Sequence, residues 1–117
     1  MPDELKVKIH APNRLGPGQD ITMRCHVNLP SNDVSVLWKK VSGSGLLPEG
    51  RSSIQERLEL GDYELTIQNL REEDTGSYVC AASTILGKIS EVRVDSTYLH
   101  VEGKCTQQTT RRWKPML

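Results

Sequence analysis

An all-β fold is the class this sequence predicts, on three observations. Apolar residues alternate with polar ones in seven short stretches separated by Gly, Pro, Asn, Asp and Ser turns. No stretch carries helical periodicity, and there is no internal repeat. The segment Asp74-Thr75-Gly76-Ser77-Tyr78-Val79-Cys80 reads D-x-G-x-Y-x-C, a corner leading into a strand whose Tyr78 and Cys80 share one face.

Each residue of that segment has a physical reason. Gly76 permits a tight or positive-φ corner. Asp74 can bond local backbone N–H groups and fix the turn. Tyr78 can turn its hydroxyl back to the preceding corner.

The strands follow in order. Leu5, Val7 and Ile9 alternate with lysines and face inward. Pro12 and Gly16-Pro17-Gly18 end that strand. Ile21, Met23, Cys25 and Val27 form the inner face of the second, and Val34, Val36 and Trp38 that of the third. The flexible tract Ser42-Gly43-Ser44-Gly45 follows. Ile54 to Leu60 reads as the fourth strand, Gly61-Asp62 as a hairpin turn and Tyr63 to Ile67 as the fifth, with Leu65 and Ile67 inward. Leu70 should plug the base of the core. After the sixth strand, residues 83 to 88 form a turn with Gly87 near its apex. The last strand holds a conflict: Val92 and Val94 share one parity, Leu99 and Val101 the other. One core cannot receive both sets without an extra residue, so a bulge or kink is expected near Asp95-Ser96.

The chain of 117 residues suffices for one core. Fifteen basic and fifteen acidic side chains balance, which argues against a nucleic-acid binder. No apolar run reaches the eighteen residues of a membrane span. Met1-Pro2 reads as an expression start, and the chain as an excised domain whose membrane tether, where one exists, lies outside it. His10, His26 and His100 fall on different strands, and no metal site or cofactor is expected. No nucleophile elbow, Cys-x-x-Cys or phosphate loop is present, so the chain does not read as an enzyme.

The ordered set Cys25, Trp38, Leu65 and Asp74-x-Gly76-x-Tyr78-x-Cys80 resembles the immunoglobulin superfamily, and within it the I-set or a short V-like set. The resemblance implies an immunoglobulin-like two-sheet Greek-key sandwich over residues 1–101, with one inter-sheet disulfide between Cys25 and Cys80 packed on Trp38. It also implies an Arg51–Asp74 contact, worth little if exposed. Residues 102–117 then form a basic, flexible C-terminal tail or linker. The tail carries Cys105, which is left free, paired with another chain or paired with a missing neighbouring domain. Its basic residues and Trp113 read first as a linker and second as a contact for anionic polymers.

A sandwich without catalytic residues implies recognition. The expectation is an extracellular module of a cell-surface receptor, adhesion molecule or secreted ligand that binds another protein, homophilic pairing included. The surface expected to bind is the family's C-F-G sheet. Alternation sends Leu37, Val79 and Ala81 outward with Lys39 beside them, and Ile85 and Leu86 occupy the adjoining turn. The bland reading covers Leu37 with a loop and folds Ile85 and Leu86 down as a cap. The alternative from another class is an intracellular, titin-like structural spacer with reduced cysteines.

Overall fold

A computed structural model describes residues 4–43, 45–84 and 91–102. Seven strands form two antiparallel sheets. They are β1 (Val7–His10), β2 (Ile21–Val27), β3 (Val34–Lys40), β4 (Ser52–Arg57), β5 (Asp62–Ile67), β6 (Gly76–Thr84) and β7 (Val92–Leu99). One sheet runs β1-β2-β5-β4, the other β3-β6-β7. Residues 85–90, the tail beyond Glu102 and with it Cys105 lie outside the described residues, so the readings made for Ile85, Leu86 and the tail fall there too.

Alternation places the core as read. In β2 every second residue, Ile21 through Val27, is buried. Met23, Cys25, Leu65, Ile67, Tyr78 and Cys80 lose essentially all contact with solvent, and Leu5, Ile9, Trp38, Leu70, Leu99 and Val101 complete the interior. Cys25 and Cys80 are bonded across the sheets, with Cα atoms 6.4 Å apart. Trp38 pairs with Cys80 across β3 and β6 and donates its indole N–H to the Tyr63 carbonyl at 3.1 Å, so the one polar atom of its side chain is satisfied inside the core.

Two glycines hold positions that no other residue fits. Gly76, at φ +154°, opens β6 where a Cβ would collide with the Ser42 side chain. Gly61, at φ +70°, turns β4 into β5, and a Cβ there would sit 2.5 Å from the Val27 carbonyl oxygen.

The structure corrects three expectations. Residues 83 to 88 do not all form a turn, because Ser83 and Thr84 extend β6 and pair with β3. The fourth strand stops at Arg57, and Leu58–Leu60 form a short 3-10 turn. The reversal runs through Leu58–Leu60 and closes on the left-handed Gly61, and Asp62 already belongs to β5. The expected bulge near Asp95-Ser96 does not exist: β7 pairs with β6 without interruption from Val92↔Ser83 to Leu99↔Gly76. The parity conflict is resolved by leaving Val92 and Val94 on the outside.

Candidate functional site

The structure separates a buried corner that holds the fold from an exposed face that the fold has no internal use for. The corner is centred on Asp74. Arg51 reaches it with two nitrogens, at 2.8 and 2.9 Å, and the Arg71 amide donates to the same carboxylate at 2.9 Å. Arg51 also donates to the Gln68 and Asn69 carbonyls, which ties β4 to the loop after β5. The Tyr78 hydroxyl donates to the Asp74 carbonyl at 2.6 Å, closing the tyrosine corner. The contact expected from the sequence is therefore present, as a two-point pair in which Asp74 is buried and Arg51 partly buried.

Electrostatics follow the geometry. Burial pushes the Asp74 carboxyl up, but hydrogen bonds from Arg51 and the Arg71 amide, with the charges of Arg51 and Lys40, outweigh it. The net shift is downward. Arg51 moves up, first through its hydrogen bond to Asp74. Burial, then the Asp74 charge, pushes Tyr78 up to about 12.

The exposed face is the outer side of β3-β6-β7. Cross-strand pairing arranges it in rows: Ser35–Ser83–Val92, Leu37–Ala81–Val94 and Lys39–Val79–Ser96. A fourth row follows where the Val41 amide donates to the Ser77 carbonyl and Ser77 pairs with Tyr98. Leu37 is 57% exposed, so no described loop covers it. Val94 is 60% exposed and Tyr98 64%, while Val79 and Ala81, in the central strand, are half-buried between their neighbours. Lys39 is the only charged side chain in these four rows.

Leu37, Lys39, Val79 and Ala81 thus come together as the sequence reading had them. Val41, Val92, Val94 and Tyr98 were missed. Their outward parity is legible in the sequence, but the bulge expected near Asp95-Ser96 points Val92 and Val94 toward the core, and β7 has none. No group of three His, Cys, Asp or Glu side chains among the described residues could hold a metal ion.

Two antiparallel sheets, a disulfide between β2 and β6, a buried tryptophan paired with Cys80 and a tyrosine corner define an immunoglobulin-type sandwich. The model of the immunoglobulin domain family matches residues 12–92, and the chain belongs to that family. It is similar to vascular cell adhesion protein 1 of Rattus norvegicus, 30% identical over 88 residues, which cover 74% of this chain and 10% of that protein. It is also similar to muscle M-line assembly protein unc-89 of Caenorhabditis elegans, 34% identical over 71 residues, 61% of this chain and 1% of that protein. The chain spans a tenth or less of the length of these relatives.

Proposed function

We propose that this domain is an extracellular recognition module that binds another protein through the outer face of β3-β6-β7. The observation that carries the reading is the contiguous apolar face of Leu37, Ala81, Val94 and Val79, with Val92, Val41 and Tyr98 around it and one charge within it. Scattered exposed apolar residues need no partner; a clustered patch does. Ile85 and Leu86 belong to the proposal as apolar residues of the segment between β6 and β7 in the sequence. The buried disulfide and the similarity to an adhesion protein support an oxidising, extracellular setting. The expected role is binding, within a receptor, adhesion molecule or secreted ligand.

A second reading has its own support. Similarity to a muscle M-line assembly protein favours an intracellular structural domain, in which the same cysteines stay reduced. Mapping Cys25 and Cys80 on protein taken from its native source separates the two: a bond between them supports the first, and two free thiols support the second. The face is tested with fluorescent tetramers of the domain applied to intact cells. Staining that survives both Leu37→Arg and Val94→Lys would remove the face from consideration.

A further inference from the structure

The two open sides of the sandwich are finished differently. On one side lie β1 and β7. There Asp95, on the inward parity of β7, accepts the Ile9 amide at 2.7 Å, so a carboxylate occupies an edge donor of β1 and bridges the sheets. An inward-pointing charge of this kind blunts a sheet edge against further pairing. On the other side lie β3 and β4, the outermost strands of their sheets.

The β3 edge can be read residue by residue. Val41 donates to Ser77, and the ladder continues without a slip to Val34↔Thr84. Hydrogen-bonded pairs alternate in an antiparallel ladder. Leu37 and Lys39 therefore spend their backbone groups on β6, while Val36 and Trp38 point theirs away from it. Among the described residues none bonds to those outward groups. The usual protection of an edge by lysine is thin here. Lys40 is engaged, donating to the Glu73 carbonyl at 3.0 Å and lying over the Tyr78 ring, which leaves Lys39. Beside the edge a cleft of about 570 Å3 opens between the sheets, lined in part by Val36, Trp38, Tyr63 and Ile54.

We propose that the β3 edge is a self-association site, at which a second copy of this chain adds its own β3 antiparallel about a two-fold axis at Leu37. The register is self-complementary. Val36 and Trp38 of each copy exchange four backbone hydrogen bonds with Trp38 and Val36 of the other. The two Leu37 residues form the non-hydrogen-bonded pair on the axis, with Cα atoms about 4.5 Å apart. Each Lys39 falls beside Ser35 of the other copy, and the two lysines stand four residues apart along the strands, roughly 13 Å. That separation exceeds the screening length of about 8 Å at physiological salt. Centring the axis on Trp38 instead would put the two Lys39 on a diagonal of about 7–8 Å. Charge therefore disfavours the Trp38 register, and the Leu37 register covers the exposed Leu37 side chain with its own copy. The product is a six-stranded sheet in which the row Val94–Ala81–Leu37 continues into its own copy. Pairing uses backbone at the edge, and although Leu37 belongs to both surfaces, Val94 on β7 belongs to the outer face alone and separates the two readings.

The test is sedimentation equilibrium of the full chain over a concentration series, with Cys105→Ser as background to remove any covalent dimer. A concentration-dependent dimer is expected. Leu37→Lys, which sets two ammonium groups on the axis, should weaken it by at least about tenfold. Mixing Leu37→Lys with Leu37→Glu should restore it, because only a two-fold axis at residue 37 brings those side chains together. Val36→Pro removes one edge donor at a position where an edge strand tolerates proline, and should also weaken the dimer. Val94→Lys, two strands away, should leave it intact. A monomer at every concentration, a failed charge-swap rescue, or loss of the dimer in Val94→Lys alone would overturn the proposal. The last outcome would move self-association to the outer face, whereas loss of cell staining in Val94→Lys with an intact dimer would leave both readings standing.

Discussion

The outer faces of the two sheets come from the same two-residue alternation and end opposite in character. On β1-β2-β5-β4 the outward rows are Lys8–His26–Asp62–Arg57 and His10–Arg24–Glu64–Gln55. Their polar groups are matched across strands: His26 Nδ1 and Asp62 share a hydrogen bond at 2.8 Å, Arg24 stands 3.9 Å from the same carboxylate, and Arg57 pairs with Glu64 at 3.2 Å. Thr22 and Thr66 share a hydrogen bond in the next row. On β3-β6-β7 the corresponding positions are Leu37, Ala81, Val94 and Val79, with only Lys39 charged. A face whose polar groups satisfy one another in water gains little from a partner. An uncovered apolar face gains about 25 cal/mol for each Å2 removed from water. The difference marks where association is favourable, and it can be tested.

The largest effects strike both faces together, because one core carries them. Trp38→Ala should cost about 3–5 kcal/mol in chemical denaturation, and binding should disappear with the fold. A loss below about 1 kcal/mol would show that neither face depends on this side chain.

Asp74→Ala comes next, at about 3 kcal/mol, since it strands Arg51 in a partly buried site and releases the corner that sets β6. The same pair gives a pH signature. The Asp74 carboxyl is lowered in the fold, so its contribution is full above the unfolded value of about 3.9 and is lost as pH falls through the lower, folded value. Denaturation midpoints of wild type should drop in that acid window more steeply than those of Asp74→Asn.

Tyr78→Phe should cost about 1 kcal/mol by removing a buried hydrogen bond. Its alkaline behaviour has a definite sign. The unfolded tyrosine ionises near 10 while the folded one holds its proton to about 12, so stability falls as pH rises across that interval. In the Phe variant this part of the alkaline loss should vanish.

The smallest effects on stability sharpen the comparison most. Leu37→Arg and Thr22→Ala, one on each face, should both change stability by no more than about 0.5 kcal/mol. Only the first should reduce partner binding. Equal effects on binding would mean that the two faces do not differ in function.

Local chemistry alone determined much of this protein. Alternation in β2, β3 and β6 placed Met23, Cys25, Trp38, Tyr78 and Cys80 inside, because a strand with one buried face must repeat every two residues. Gly76, Asp74 and Tyr78 specified a corner whose geometry few other residues permit. Tertiary structure decided what alternation leaves open. Val92 and Val94 are as apolar as Leu99 and Val101, and a sequence pattern cannot say which parity meets the core. The uninterrupted pairing of β7 with β6 decided it, sending Val92 and Val94 outward and turning an expected irregularity into part of the exposed face. Burial of the Asp74 and Asp62 carboxylates was decided in the same way. Exposure belongs to a residue's neighbours in space, and those neighbours are supplied by strands far away in the chain.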